Sequence, residues 1–164
     1  MNPIWETHDG LRVINRQRFQ KLQLKNIAYA CGEILSDLGV SYELGIAFVG
    51  TRAMADANQR YLQHSGSTDV ITFDYGSTPT RLHGDLLISV PDAWKQALEF
   101  QTSGEAELLR YVIHGMLHLQ GFDDLTPSAR RQMKVRENQL VRRHLSAASS
   151  FLAHPIAARK RRIK

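Results

Sequence analysis

His114 and His118 lie four residues apart in residues 105–120, a stretch where apolar side chains recur at helical spacing. On an α-helix, positions i and i+4 are about 40° apart around the axis, so both imidazoles leave from one face and can grip one ion. Gly121 follows where a left-handed cap would stop the helix and turn the chain back. Asp124 then arrives as a possible third ligand. Two imidazoles and one carboxylate, with a position left for water, is the layout of a catalytic zinc site rather than a closed structural one.

The rest of that helix supports the reading. At 100° per residue, Glu107, Arg110, Tyr111 and His118 fall within roughly 60° of His114, while Leu108, Leu109, Val112, Ile113, Met116 and Leu119 gather opposite and Leu117 flanks them. The apolar side is the core side, so the histidines face a cleft or solvent. Thr102, Ser103, Gly104 and Glu105 read as a capping box at the helix start. Exposed histidine pairs also arise by chance; the glycine stop and the timely carboxylate are what favour a metal.

The chain has 164 residues, enough for one domain with its own core. No apolar run is long enough to cross a bilayer, and the N-terminus lacks a signal-peptide core. The single cysteine, Cys31, reads as a core residue with Ile27, Ala28 and Ile34, so a reducing, cytoplasmic setting is expected. Charge is unevenly placed. Residues 1–128 hold 10 Lys+Arg against 15 Asp+Glu, net −5; residues 129–164 hold 11 against 1, net +10. A basic end on a mildly acidic body suggests a polyanionic partner, against the bland alternative of a solvated helix face and a loose tail.

Residues 11–15 read as a short strand and residues 16–38 as a helix carrying Phe19, Leu22, Ile27, Cys31, Ile34, Leu35 and Leu38, stopped by Gly39. Tyr42, Leu44, Ile46 and Phe48 alternate as a strand should. A second helix is expected from a Thr51 cap to Leu62, strands over 70–75 and 82–90, and a helix from Pro91 to near Phe100. After the histidine helix, Thr126 and Pro127 open a last helix to about Leu145. The expected fold is α+β, a small mixed sheet of about four strands packed with about five helices, with the metal site on a central helix. The expected division is a domain over 1–145 and a basic flexible tail over 146–164, whose Arg159, Lys160, Arg161, Arg162 and Lys164 are candidate RNA contacts.

The spacing from His114 through His118 and Gly121 to Asp124 matches the metzincin metalloprotease signature, with two departures. Gly115 stands where such an enzyme carries its general-base glutamate, and Asp124 where it carries a third histidine. The run from His114 to Asp124, HGMLHLQGFDD, instead resembles the YbeY family of bacterial endoribonucleases, whose signature reads HGxLHLxGxDH. Further matches lie upstream in order: Asn58 and Tyr61, then Thr68-Asp69-Val70-Ile71-Thr72-Phe73, then Gly84-Asp85-Leu86-Leu87-Ile88-Ser89.

The resemblance implies a single-strand-specific, metal-dependent endoribonuclease acting in rRNA processing (16S rRNA 3′-end maturation) and ribosome quality control. Its partners would be rRNA and ribosomal particles, with no membrane. It also implies one Zn²⁺ per chain on the catalytic residues His114, His118 and Asp124, and its register favours Asp124 over Asp123. Two imidazoles and a carboxylate suit Fe²⁺ as well. The family's Tyr–Arg pair falls at Tyr61 and Leu62, so the arginine is absent from its place; Arg60 lies nearby on a different side of the helix. Asp69 and Asp85 are candidates for holding a histidine ligand in orientation or for substrate contact, with turn hydrogen bonding as the alternative. His64 and His83 read as solvent-facing. Two other functions stay open: a non-catalytic zinc-containing ribosome-assembly factor, favoured by the missing arginine, and a metalloprotease, disfavoured by Gly115.

Overall fold

The computed structural model describes residues 4–7 and 9–153. Its elements run β1 (Ile4–Glu6), β2 (Leu11–Asn15), α1 (Leu24–Leu38), β3 (Ser41–Val49), α2 (Thr51–Ala57), a π-helical turn (Asn58–Leu62), β4 (Val70–Asp74), β5 (Arg81–Ser89), α3 (Val90–Phe100), α4 (Gly104–Gln120) and α5 (Pro127–Ala148). The sheet order is β1-β2-β3-β5-β4. The β2–β3 and β3–β5 pairs are parallel and the two outer pairs antiparallel, so the sheet is mixed, as expected. It has five strands rather than about four. The addition is β1, three exposed residues too short to show any alternation.

Strand alternation gives the sheet two unlike faces. On one, Leu11, Val13, Leu44, Ile46, Phe48, Leu82, Leu86 and Ile88 are all buried in the main core. They pack under Ile27, Cys31, Ile34 and Leu35 of α1 and the apolar side of α4. Each fully buried Leu, Ile, Val or Met there contributes about 1.5–3 kcal/mol relative to exposure, so α4 is held firmly on the sheet. On the other face a small cluster of Val49, Met54, Ala57 and Ile71 sits under α2 and leaves the remainder open. Burial pushes the Cys31 thiol up to about 12, as suits an inert core residue.

Four expected boundaries move. The first helix begins at Leu24, not Arg16: the Gln17 amide donates to Asn15 Oδ1 and to the Gln20 carbonyl, which holds a loop, and Phe19 is exposed. Gly50, not Thr51, caps α2, which passes into the π-helical turn at Asn58. At the start of α4 the cap is Ser103, whose Oγ accepts from Ala106 N at 3.1 Å. Thr102 instead donates to the buried Glu107 carboxylate at 2.6 Å, so the capping box does not form. The last helix runs to Ala148 rather than Leu145, and Phe151 is 2% exposed with Leu152 bridged to Leu22. Residues 146–153 are thus packed rather than part of a flexible tail, because Phe151 finds a place in the core. Thr126 and Pro127 do open α5, with Thr126 Oγ1 accepting from Ala129 N. Among the described residues no helix is long and apolar enough to cross a membrane.

Candidate metal centre

His114 and His118 stand half-buried on the side of α4 turned away from the core, their Nε2 atoms 3.0 Å apart. Gly121 adopts φ 108°, which an L side chain resists, and the helix ends there with Gly121 N donating to His118 O and Phe122 N to Leu117 O. The turn returns the Phe122 carbonyl to His118 Nδ1 at 3.1 Å. It also brings Asp124 over the pair, so that one ligand atom from each of His114, His118 and Asp124 lies within 4.8 Å of the others. Asp123 is occupied differently: its Oδ1 accepts from Leu125 N at 3.0 Å and shapes the loop. Arg130 holds the same loop by donating to the Asp124 carbonyl.

The second anchor comes from α5. Glu137 is 3% exposed and accepts from His114 Nδ1 at 2.8 Å, Lys134 Nζ at 2.9 Å and Arg110 Nη1. Burial alone would raise its carboxyl, but the hydrogen bonds from His114, Lys134 and Arg110 outweigh that and hold it down at about 2. A carboxylate and a carbonyl can only accept, so both Nδ1 atoms are donors, and in the neutral rings both Nε2 atoms are left to act as acceptors. Burial, with the nearby His114 adding to it, holds the His118 imidazole below its ordinary value. In neutral rings two lone pairs face each other at 3.0 Å and repel unless a proton or a metal cation lies between them. That donor set, with the Asp124 carboxylate beside it, fits a divalent metal, and the Glu137–His114 contact is the carboxylate–histidine support such ions have.

The centre lies in a cleft of about 210 Å³ whose walls include Asp69, Arg110, Arg130 and Lys134. Asp69 therefore reaches the cleft, though its Oδ1 accepts from Val70 N at 2.8 Å and Thr68 Oγ1 at 3.2 Å rather than from a histidine. Asp85 does not reach it. Leu86 faces α4, so Asp85 projects from the opposite face of the sheet, where it accepts from Tyr75 Oη at 2.8 Å. Arg60 is exposed on the π-helical turn and lies outside the metal cleft. His64 is exposed, and His83 sits 3.7 Å from Glu43 at the surface. The basic residues Arg159, Lys160, Arg161, Arg162 and Lys164 lie outside the described residues.

Fold and site together define an α+β protein whose candidate metal centre rides on one central helix. A model of the family described as endoribonuclease YbeY matches residues 6–144. Among similar proteins, the endoribonuclease YbeY of Bacteroides fragilis is 41% identical over 99 residues, 60% of this chain and 70% of that one. That of Bacteroides thetaiotaomicron is 38% identical over 72% of this chain and 81% of its own. That of Salinibacter ruber is 30% identical over 80% of this chain and 89% of its own. A solution structure from Thermotoga maritima, 23% identical, shares the fold with a TM-score of 0.65 over 85% of this chain and 92% of that one. The chain belongs to the endoribonuclease YbeY family.

Proposed function

We propose that this chain is a zinc-dependent endoribonuclease that cuts single-stranded RNA, acting in 16S rRNA 3′-end maturation and ribosome quality control. The observation that carries the reading is the His114–His118–Asp124 cluster, with each imidazole already turned by its own acceptor. His114 Nε2, His118 Nε2 and an Asp124 oxygen would hold one Zn²⁺, an ion that takes these donors. When bound, such an ion makes a nearby water more acidic and polarises a phosphoryl oxygen. The protein's own part is orientation and charge. Glu137 and the Phe122 carbonyl fix the rings, while Arg130 and Lys134, in the cleft wall, present cations to the RNA backbone.

The test joins metal analysis to RNA cleavage. About one zinc per chain is expected in the purified protein. His114→Ala and His118→Ala should each lose it, with metal affinity falling more than about 100-fold, beyond what loss of a supporting partner costs. RNA cleavage should go with the metal. Unchanged zinc content in both variants would show that the ligands are elsewhere.

A second reading, a zinc-containing assembly factor that binds RNA without cutting it, is favoured by Leu62 in the arginine's place. Metal-loaded protein that binds single-stranded RNA yet leaves it intact would select that reading.

The basic C-terminal residues carry a separate expectation. Deleting residues 154–164 removes Arg159, Lys160, Arg161, Arg162 and Lys164. If all five meet phosphate, the slope of log K against log salt should flatten by about 3–4, at roughly 0.7 per contact on a single strand. Thermal stability should hardly change. The same salt slope with and without the segment would remove it from the interface.

A further inference from the structure

The face of the sheet opposite α1 and α4 holds a trough of about 600 Å³, one the metal centre does not use. Its shape follows from register. Arg12, Gly45, Asp85 and Phe73 stand in one row across β2, β3, β5 and β4, and Ile14, Ala47, Leu87 and Ile71 form the next. On β3 these rows place only a glycine and an alanine, so the floor is low along the middle of the sheet. A Cβ at Gly45 would come 2.2 Å from Asp85 Oδ1, so the bare backbone is what lets that carboxylate lie across the floor towards Arg12. The two walls differ in kind. Arg12 and Arg16 form one, and the aromatic rings of Tyr61, Phe73 and Tyr75 the other.

The aromatic wall is braced and open. Tyr61 packs edge-on to Phe73 at 5.1 Å, and Tyr75 donates its hydroxyl to Asp85 at 2.8 Å, yet Tyr61 is 58% and Tyr75 54% exposed. Asp85 is the one acid in the lining and lies 3.9 Å from Arg12, so the two arginines leave the trough net cationic. Exposed rings facing guanidinium groups across a channel suit one kind of ligand, a single nucleic-acid strand, whose bases stack on rings while its phosphates meet cations. The chain's own basic C-terminal residues have the wrong sign for it. The strand also has a route to the metal. β4 pairs only with β5 and so forms the sheet's edge; Asp69 at its start lines the metal cleft, and Phe73 and Tyr75 at its far end line the trough. At about 3.3 Å per residue, Tyr75 lies roughly 20 Å from Asp69 along that edge.

We propose that this trough is a second RNA subsite, in which Tyr61, Phe73 and Tyr75 stack bases and Arg12 and Arg16 hold phosphates of the strand being cut at the metal centre. The proposal rests on the endoribonuclease reading above, and its test separates the two. Cleavage by metal-loaded protein is followed on single-stranded oligoribonucleotides of increasing length. For the native protein, KM should fall about tenfold once the strand is long enough to reach from the cleft to the trough. Tyr75→Ala and Tyr61→Ala, on different elements, should each blunt that fall about tenfold, near the low end of what base–aromatic stacking contributes, and raise KM more than they lower kcat. Tyr75→Phe keeps the ring and should recover most of the loss. Tyr29→Ala, which removes an exposed tyrosine on α1, should match the native protein and serves as control. If the native chain cuts RNA but KM ignores length, or both alanine variants behave as native, the subsite is wrong and the nuclease reading stands. If the alanine variants instead change oligomeric state, the face belongs to a second copy of the chain and the subsite is overturned. A native protein that cuts no RNA removes both.

Discussion

Glu137→Ala is expected to weaken zinc binding about 10–100-fold without removing a single ligand, because the histidine it orients is left to rotate. The same change should cost stability. Glu137 is 3% exposed and is the common acceptor for Arg110, His114 and Lys134, so its loss strands cations in the seam between α4 and α5. Breaking a buried ion pair typically costs about 3–5 kcal/mol. The lower figure applies here, since Lys134 reaches solvent and Arg110 keeps Asn138 Oδ1 at 2.8 Å. At about 2–4 °C per kcal/mol for a chain of this size, Tm should fall on the order of 10 °C. Glu137→Gln keeps an acceptor for His114 Nδ1 but not the charge, so it should fall between native and alanine in zinc affinity.

The sign with pH follows from the depressed carboxyl. Folded Glu137 sits at about 2 against an ordinary 4.5, so its contribution is present above about 4.5 and is lost as pH falls through that interval towards 2. Glu137→Ala should therefore show a flatter acid limb of stability than the native chain. Zinc affinity by chelator competition, with thermal melts from neutral to acid pH, reads both effects. Native zinc affinity in Glu137→Ala would sink the orienting role.

That residue also marks the limit of what the sequence discloses. His114, His118, Gly121 and Asp124 were legible because their relation is local: one helical face, one left-handed cap and one turn. Glu137 meets His114 only because α4 and α5 pack, and no spacing rule reaches across 23 residues. Its one trace was compositional, as the single acid among residues 129–164. Glu107 and Arg110 were nearer to hand, since the helical wheel already put both on the histidine side.

Asp69 and Asp85 looked alike in sequence, each at a strand. Parity separates them: with Leu82, Leu86 and Ile88 turned to the core, Asp85 must face the other way. The misplaced start of α1 has a different cause. Phe19 fell in helical phase with the core residues, but Gln17 satisfies the local backbone in a non-helical loop and the ring stays outside. Apolar periodicity cannot register such side-chain competition.

Gly115→Glu is expected to unfold the protein rather than confer peptide hydrolysis. The change would restore the glutamate of the metalloprotease signature one residue after the first histidine. In this fold that position abuts the sheet. A Cβ at Gly115 would lie 2.8 Å from Leu86 Cδ2 and 2.9 Å from Leu86 Cδ1, and Leu86 is 0% exposed with core on every side. Even Gly115→Ala forces repacking. Its better helix propensity returns about 1 kcal/mol, against about 1–3 kcal/mol for overpacking, so a net loss of up to about 2 kcal/mol is expected. Beyond alanine, glutamate adds four more heavy atoms and a charge at the same point. An ionised carboxylate buried without a partner costs several kcal/mol more, which brings the total into the range of a typical domain's whole stability, about 5–15 kcal/mol. Its carboxylate cannot reach the histidine face without α4 lifting from β5. Circular dichroism melts of native, Gly115→Ala and Gly115→Glu proteins should therefore descend in that order, with the glutamate variant largely unfolded or insoluble at 25 °C. A soluble Gly115→Glu protein with native Tm would mean that α4 does not sit on Leu86 as described. If that protein also cleaved casein in a chelator-sensitive way, the site would be open to protease chemistry after all.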